Sequence, residues 1–259
     1  MRSELRNGDR DYLARSFEIL RSVSRHPSRS LGVIARETGI PKTTVHRIVS
    51  NLTAVGAVVK SGDSIRLGLV MFELGARVPQ GRLIRDVSLP LMQHLRFATA
   101  SDVNLAVLRG YEVIYLERIA GPVGNALPGG IGLRLPALYT GVGKALLAYE
   151  SPAELDRLIG IMPPAMTEHS LVHEAAIRQE MREVRRVGLA HDTEESRLGV
   201  VCVASPILVH GRAVAGISVS SPKGSQSNAA ETAVRMAARS IGQQLSTGWR
   251  LAAMLADAH

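Results

Sequence analysis

The chain has 259 residues, of which 46% are apolar, and a formal net charge of +8. This composition supplies enough apolar side chains for one or two packed domains and excludes a chain that is disordered throughout. No apolar run reaches the roughly 18 to 20 residues of a membrane-spanning helix, and no signal peptide is predicted. The single cysteine, Cys202, excludes an internal disulfide, so we expect a cytoplasmic protein without a membrane partner.

Positive charge is concentrated in the N-terminal third. Residues 1–82 contain 14 Lys and Arg against 7 Asp and Glu, whereas residues 83–259 contain 17 against 16. Basic surfaces supply the sequence-independent part of the affinity for nucleic acid, because they contact phosphates and release counterions. Nearly all of the excess charge therefore lies in the segment that carries the first structural motif.

Two short helices are predicted at the start of this segment. The first covers about residues 11–24 and ends at His26-Pro27, because the residue before a proline avoids helical angles. Its apolar residues at helical spacing are Leu13, Phe17, Leu20 and Val23. Ser30 is the predicted N-cap of the second helix, and Gly39 suits its C-terminal end. The predicted buried face of this second helix contains Leu31, Ile34, Ala35 and Thr38.

A third helix begins at Pro41 and has the composition of a recognition helix. Its predicted core positions are Val45, Ile48, Val49, Leu52 and Val55. The other face opens on short hydroxyl side chains and includes Arg47 and Asn51, which suit guanine, adenine or phosphates. A tight turn between two short helices and a basic outer face favour a helix-turn-helix over an ordinary solvated helix. The predicted DNA contacts are Ser30, Lys42, Thr43, Thr44, His46, Arg47 and Asn51.

A β-hairpin is predicted directly after the third helix. Two short alternating runs flank Ser61-Gly62-Asp63, and a hairpin in this position is the wing of a winged helix-turn-helix. Lys60 and Arg66 of the wing are predicted to contact flanking phosphates or the minor groove. A further helix is predicted over residues 69–78. Pro79-Gln80-Gly81 is predicted to interrupt the helical structure and to mark a domain boundary.

Helices and strands alternate from about residue 83 onward, and the segment between residues 121 and 136, rich in Gly and Pro, predicts a loop. Helices are predicted over residues 84–98, 140–149, from the Ser151-Pro152 cap onward, 174–187 and 228–254. Strands are predicted over residues 103–108, 113–119, 200–209 and 214–219, the last two forming a hairpin at His210-Gly211.

Three chemical signals are too weak to predict a site. Gly141-Val142-Gly143-Lys144 resembles a phosphate-binding loop, but Leu138 and Ala145 replace residues that the pattern requires. His169 and His173 have the spacing of metal ligands on a helix but no fixed third ligand, so no metal and no cofactor is predicted. Cys202 lies in an apolar strand without a neighbouring base, and catalysis is not indicated.

Several segments of the C-terminal two thirds carry a family resemblance. They are Thr140-Gly-Val-Gly-Lys-Ala-Leu-Leu-Ala, Gly188-Leu-Ala-His-Asp-Thr-Glu-Glu, Gly199-Val-Val-Cys-Val-Ala-Ser-Pro and Ile217-Ser-Val-Ser-Ser-Pro. In this order after the winged helix-turn-helix, they resemble the isocitrate lyase regulator (IclR) family of bacterial transcription factors. The resemblance implies an α+β fold with a winged helix-turn-helix, a linker helix and a GAF/PAS-like effector domain with a curved antiparallel sheet. It also implies homodimers, often paired into tetramers on palindromic operators.

The same resemblance implies an effector pocket at the mouth of the curved sheet. Its implied residues are Leu135, Leu138, Gly141, Val142, Asp192, Cys202, Ser218 and Ser220. Free N–H groups at the start of the helix near Gly141 suit a carboxylate, and Ser218 and Ser220 share one strand face. Strand serines that are simply exposed are the alternative. The segment Ala137-Leu138-Tyr139 departs from the small polar residues that the family has before this helix.

We therefore predict a winged helix-turn-helix domain over residues 9–68, a linker helix over 69–82 and an effector-binding and oligomerisation domain over 83–259. The predicted function is a ligand-responsive transcriptional regulator that binds palindromic operator DNA and senses a small organic or aromatic acid. Repression and activation both stay open. Two alternatives also stay open: an enzyme that acts on a small carboxylic acid with a fused DNA-binding domain, and a DNA-binding protein without an effector.

Overall fold

The computed structural model describes residues 7–121, 130–225 and 228–247. The chain divides into two compact units, Met1–Val78 and Pro79–His259. The predicted wing therefore belongs to the first unit together with the helix that follows it, and the predicted effector domain belongs to the second. None of the helices within the described ranges has a stretch long and apolar enough to cross a membrane.

The N-terminal unit is a small helical domain with a hairpin. Its elements are α1 (Asn7–Ser24), α2 (Leu31–Thr38), α3 (Lys42–Ala54), β1 (Val58–Ser61), β2 (Ser64–Leu67) and α4 (Leu69–Gly75). The hydroxyl of Ser30 accepts a hydrogen bond from the Val33 N–H, and Gly39 closes α2 with a φ of 68°. Both caps were predicted from the sequence, because residues of these types satisfy the free backbone groups of helix ends. Strands β1 and β2 are antiparallel, and Arg29 pairs with Ile65 at the edge of the hairpin.

The core of this unit confirms part of two predicted apolar sets and corrects the rest. In α1, Leu20 and Val23 are buried as members of the predicted set, together with Ile19. Leu13 and Phe17 of the same set are instead 48% and 55% exposed. Val55, predicted as a core residue of α3, is 65% exposed, because α3 ends at Ala54 and Val55 is its C-cap. Val45, Ile48 and Val49 are buried as predicted, and Leu52 packs against the core as a partly buried residue.

The C-terminal unit is built on a six-stranded antiparallel sheet with the strand order β5-β4-β3-β8-β7-β6. Its strands are β3 (Asp102–Arg109), β4 (Glu112–Ile119), β5 (Arg134–Pro136), β6 (Ala190–Thr193), β7 (Val200–Val209) and β8 (Arg212–Pro222). Its α-helices are α5 (Pro79–Thr99), α6 (Gly141–Leu147), α7 (Pro152–Gly160), α8 (Glu174–Val187) and α9 (Asn228–Thr247). A short 3-10 turn, Ala137–Tyr139, precedes α6.

Two apolar clusters hold this unit together. In one, α5 and α9 pack against the sheet through residues such as Met92, Ile217 and Ile241. In the other, α6 packs against the sheet at alanine positions, whose small side chains allow the helix to approach the strands closely. These alanines are Ala106, Ala190 and Ala204.

Several predicted boundaries differ from the observed ones. Pro79, Gln80 and Gly81 form the first turn of α5 and not a break, since a proline is compatible with the first position of a helix. The short strands β5 and β6 were not predicted, because three or four residues carry too little pattern. α6 ends at Leu147, two residues before the predicted end. The predicted helix over residues 228–254 is observed to Thr247, and its remainder, like residues 122–129 of the predicted loop, lies outside the described residues.

Candidate functional site

The outer face of α3 is polar, basic and accessible. Lys42, Thr43, His46 and Arg47 are exposed and Thr44 is half-buried, while Val45 and its partners turn into the core. The side chains of Lys42 and Arg47 make no hydrogen bond or ion pair with any other described residue. Cationic side chains that the fold leaves unpaired are available for phosphates and base edges.

Two of the predicted DNA-binding residues also have a role within the fold. Ser30 caps α2, as described above, and the Asn51 side-chain amide donates a hydrogen bond of 2.8 Å to the Tyr12 hydroxyl. Asn51 therefore connects α3 to α1. That either residue also contacts DNA stays a prediction.

The wing places its two predicted basic residues on adjacent strands. Lys60 lies on β1 opposite Ile65, and Arg66 lies on β2 opposite Val59. Both are exposed, and neither makes a side-chain hydrogen bond or ion pair within the described ranges. The hairpin is thus arranged as the sequence predicted, with its positive charges directed to solvent.

The C-terminal unit contains a partly open cavity of about 160 Å³ next to the start of α6. Six of the eight predicted effector residues line it: Leu135, Gly141, Val142, Asp192, Cys202 and Ser220. Leu138 and Ser218 are not among the lining residues: Leu138 is buried in the apolar cluster around α6, and Ser218 is buried on β8. Lining residues that the sequence did not predict include Asn104, Tyr115, Arg118, Met166, Ser196 and Arg197.

Strand register explains how distant residues meet at this cavity. One row of paired residues crosses four neighbouring strands and consists of Asp192, Cys202, Ser220 and Asp102. The next row, two residues along each strand, consists of Ala190, Ala204, Ser218 and Asn104. Residues two apart on a strand point to the same face, so both rows face α6. The row that contains Asp192 forms a polar wall, and the row that contains Ala190 and Ala204 leaves room for the helix.

The start of α6 closes over this wall because two glycines allow it. A Cβ atom on Gly143 would lie 2.1 Å from the Ala137 carbonyl oxygen, and a Cβ on Gly141 would lie 3.1 Å from Cys202 Sγ. The Thr140 hydroxyl accepts a hydrogen bond of 3.1 Å from the Gly143 N–H and thereby caps the helix. The N–H groups of Gly141 and Val142 belong to the first turn, where a helix has no acceptor of its own for them.

Asn104 organises the polar side of the cavity. Its side-chain amide donates hydrogen bonds to Ser218 Oγ at 3.4 Å and Ser220 Oγ at 3.2 Å. The residue is 2% exposed, and its Oδ1 has no hydrogen-bond partner within the described residues. The two serines, predicted as ligand contacts, are therefore satisfied in part by a protein side chain, while the unpaired acceptor of Asn104 remains.

The buried charges around the cavity are compensated by specific contacts. Arg118 donates a hydrogen bond of 3.0 Å to the buried carboxylate of Asp102. Asp192 accepts hydrogen bonds from the Glu195 N–H at 2.8 Å and from the Ser196 hydroxyl at 2.5 Å. Burial nevertheless raises the pKa of Asp192 above its ordinary value, with these hydrogen bonds opposing the shift.

Two further titratable groups at the cavity resist ionisation. Burial, with a smaller contribution from Asp192, raises the pKa of the Cys202 thiol to about 11. Burial also raises the pKa of the Tyr115 hydroxyl. A thiol that stays protonated is a weak nucleophile, so the chemistry of this cavity suits ligand binding better than covalent catalysis.

The histidine pair that the sequence raised as a weak metal signal is not assembled. His173 is the N-cap of α8, and His169 lies in the preceding loop, 3.8 Å from Glu194 Oε2. Among the described residues there is no cluster of three or more His, Cys, Asp or Glu side chains that could hold a metal ion.

Most cavity residues that the sequence missed lie on other strands or in loops. Asn104 is more than thirty residues from any predicted site residue in the sequence, and it joins the site only because β3 pairs with β8. Met166 and Arg197 lie in loops whose course has no periodic pattern. The sequence did contain one signal for Asn104, because it is a polar residue inside an otherwise apolar predicted strand. A polar side chain that is buried in a strand needs a hydrogen-bond partner.

Both units match models of one family. Residues 77–247 match "Bacterial transcriptional regulator IclR C-terminal", and residues 12–62 match "IclR helix-turn-helix domain". The HTH-type transcriptional regulator XynR of Escherichia coli (strain K12) is 31% identical over 191 residues, covering 72% of this chain and 76% of that protein. The HTH-type transcriptional regulator BhcR of Paracoccus denitrificans (strain Pd 1222) is 30% identical over 242 residues, covering 91% and 86%.

Solved structures share the fold at lower identity. An IclR homolog from Microbacterium hydrocarbonoxydans, crystallised in complex with 4-hydroxybenzoate, has a TM-score of 0.83 and 24% identity, covering 91% of this chain and 99% of that one. The regulator of this family from Alicyclobacillus acidocaldarius has a TM-score of 0.78 and 22% identity, covering 90% and 98%. Since the family matches span both units, the chain belongs to the IclR family of bacterial transcriptional regulators, with an N-terminal helix-turn-helix DNA-binding domain and a C-terminal ligand-binding domain.

Proposed function

We propose that this regulator is a homo-oligomer that binds a palindromic operator through α3 and the wing and is controlled by a small organic or aromatic acid. The cavity beside α6 is the observation that carries the proposal, because it combines a polar wall with an apolar lining in the ligand-binding domain. An effector can switch such a protein only if it binds two arrangements of the molecule with different affinities.

The DNA side of the proposal rests on unpaired cations. Lys42 and Arg47 on α3, and Lys60 and Arg66 on the wing, are exposed and have no partner within the described residues. A recognition helix reads base edges in the major groove, while a wing contacts the flanking backbone. Two-fold symmetry of a dimer would match a palindromic operator.

The size and chemistry of the cavity support the effector class. A cavity of about 150 Å³ accommodates benzene in a well-studied case, so about 160 Å³ suits a single ring or a short acid. The N–H groups of Gly141 and Val142 can receive a carboxylate, and the basic residues Arg118 and Arg197 are also among those that line the cavity. The 4-hydroxybenzoate in the structure of the Microbacterium homolog is an acid of this size.

Exposed apolar side chains support self-association. Leu69, Phe72 and Leu74 of α4 are 63–71% exposed, and Leu13 and Phe17 of α1 are also exposed. Clustered apolar residues on a helix surface are typical of protein interfaces. We propose that this surface of the N-terminal unit is covered by a second copy in the dimer.

Two experiments test the effector. Thermal denaturation of the full chain with a panel of small acids, including benzoate, 4-hydroxybenzoate and pyruvate, should identify an acid that raises Tm. The same acid should change the affinity for operator DNA measured by fluorescence anisotropy, and Asp192→Ala or Ser220→Ala should blunt that response while DNA binding persists. Ser225→Ala, at an exposed serine outside the cavity, is the control.

The outcomes separate the alternatives. Turnover of the acid, with product formed, would favour the enzymatic alternative, which the protonated thiol of Cys202 does not support. DNA binding that no acid in the panel alters would favour a regulator without an acid effector and would contradict the proposal.

A further inference from the structure

A second concave surface lies in the C-terminal unit and shares no lining residue with the effector cavity. It has a volume of about 600 Å³ and lies between the end of α8, the outer face of α9 and residues 205–208 of β7. Four arginines line it, and we call it the arginine groove: Arg185, Arg186, Arg235 and Arg239. We propose that the arginine groove binds a compact anion that carries two or more phosphate or carboxylate groups.

The charges in the groove are not balanced by its own lining. No Asp or Glu is among the lining residues, and of the four arginines only Arg186 has a carboxylate partner, Glu183. Arg185 lies over the Tyr149 ring, with 5.4 Å between its guanidinium carbon and the ring centroid. Three guanidinium groups are therefore without an ion-pair partner among the described residues.

The two arginines on α9 give the strongest support for an anion site. Arg235 and Arg239 are one helical turn apart, a spacing at which like charges destabilise a helix. The nearest acidic residue on α9, Glu231, precedes Arg235 by four residues but bonds to His191 Nε2 at 3.0 Å instead. Neither arginine makes a side-chain hydrogen bond or ion pair within the described ranges.

Several other arginines of the unit, in contrast, have carboxylate partners. Arg85 bonds to Glu117, Arg134 to Glu112 and Arg178 to Asp156 and Glu174. Residues 83–259 as a whole are nearly neutral, with 17 basic and 16 acidic residues. Positive charge gathered in one concave surface of a nearly neutral unit focuses the electrostatic potential there and attracts anions.

The floor of the groove is shaped by the edge of the sheet. β6 pairs with β7 only as far as Ala204, so the following residues of β7 have no strand neighbour on that side. The backbone of α9 approaches closely there: a Cβ on Gly242 would lie 2.5 Å from the Leu208 carbonyl oxygen. Ser205 Oγ donates a hydrogen bond of 2.9 Å to the Gly188 carbonyl, which connects the end of α8 to the floor.

The shape and the donors together specify the ligand class. Guanidinium groups present several N–H donors in a plane and bind phosphate or carboxylate with paired hydrogen bonds. A concave volume of about 600 Å³ is within the range of small-molecule sites, whereas an acidic protein segment would need a longer or flatter surface. A polyphosphate and a polycarboxylate share the required chemistry, and the experiment distinguishes them.

The test is a calorimetric titration of the full chain with tripolyphosphate at about 150 mM salt, repeated with citrate. We expect one saturable site per chain, and its affinity should fall at least about tenfold in Arg235→Gln/Arg239→Gln, because each guanidinium contributes charge-assisted hydrogen bonds. Arg182→Gln is the matched control, since Arg182 is exposed on α8 but does not line the groove. A preference for either probe would identify the oxyanion that the groove favours.

Four results would overturn the proposal. The first is no saturable binding of either probe, and the second is equal affinity in the wild type and the double variant. The third is loss of the site in Lys42→Gln/Arg47→Gln, which would place the anion on the DNA-binding unit. The fourth is binding of an acidic peptide where neither small anion binds, which would make the surface a protein docking site.

Discussion

Lys144 Nζ lies 2.5 Å from Glu195 Oε1 in the interior of the C-terminal unit, and 3.1 Å from Glu180 Oε1. Burial lowers the pKa of Lys144, but the two carboxylates more than offset this effect and raise it above the ordinary value. Lys144 belongs to α6, whose first turn lines the cavity, and Glu195 follows Asp192 by three residues. The ion pair therefore connects α6, on one side of the cavity, to the segment after Asp192, on another side.

We expect Lys144→Met to destabilise the C-terminal unit strongly. The side chain of Lys144 is 3% exposed, and removing one partner of a buried ion pair leaves the other charge without compensation, at a cost of about 3–5 kcal/mol. The free energy of unfolding can be measured by urea denaturation followed by circular dichroism. Lys144→Met/Glu195→Gln should recover part of the loss, and Arg157→Met, which removes a surface ion pair, should change little. Equal stability of Lys144→Met and the wild type would contradict this interpretation.

The raised pKa of Asp192 predicts how stability depends on pH. Burial makes the folded state hold the Asp192 proton more tightly than the unfolded state does. The stabilisation of the folded state by this more tightly held proton is therefore complete below the ordinary pKa of 3.8. It is lost as the pH rises through the higher pKa that Asp192 has in the folded state. Asp192→Asn carries no titrating proton, so its free energy of unfolding relative to the wild type should rise as the pH increases above the ordinary pKa of 3.8. Asp86→Asn, at an exposed position, should show no such trend, and a constant difference for Asp192→Asn would refute the prediction.

Two Gly→Ala substitutions distinguish Gly143, where close packing requires a glycine, from Gly160, where it does not. In Gly143→Ala the new Cβ would meet the Ala137 carbonyl oxygen at 2.1 Å, so the start of α6 must move, with a destabilisation of about 2–3 kcal/mol. Gly160→Ala, at the end of α7, meets nothing within 4 Å and should be neutral or stabilise by up to about 1 kcal/mol. Thermal denaturation of both variants checks the contrast, and similar Tm changes would count against the close approach.

Sequence patterns predicted helix ends correctly where neighbouring residues alone determine the backbone conformation. The caps Ser30 and Gly39 were predicted because end positions of helices require residues of these types. The buried face of α1 was predicted only in part: Leu20 and Val23 are in the core, whereas Leu13 and Phe17 are exposed. Packing against α2 and α3 places Ile19 in the core in addition. Sequence spacing predicts which residues share a face but not which face is buried.

The cavity shows the same division between local and long-range information. Ser218 and Ser220 were expected to share a face, and the register of β8 with β3 confirms that they do. The same register brings Asn104 to them, and this pairing of strands more than one hundred residues apart has no local signal. Strand order is decided by the whole sheet, so a residue such as Asn104 can be assigned to the site only after the topology is known.

Cys202 should be unreactive in the folded protein. Its pKa of about 11 leaves about one thiolate in a thousand at pH 8, and the side chain is buried against Gly141. The rate of reaction with a disulfide reagent, followed by absorbance, should be very low in the native state and rise by orders of magnitude in guanidinium chloride. Rapid native reaction, comparable to that of a free thiol, would show that the cavity is open to solvent at this position.

Arg47→Ala tests the DNA-binding surface without disturbing the core, because Arg47 is exposed and unpaired on α3. Loss of one guanidinium contact should weaken operator binding by about 1–3 kcal/mol. If Arg47 contacts a phosphate, the slope of log K against log salt should also decrease by about one unit. Arg21→Ala on α1 is the matched control, and circular dichroism should show an unchanged fold for both variants. Operator affinity in Arg47→Ala equal to that of the control would show that another surface of the N-terminal unit contacts the DNA.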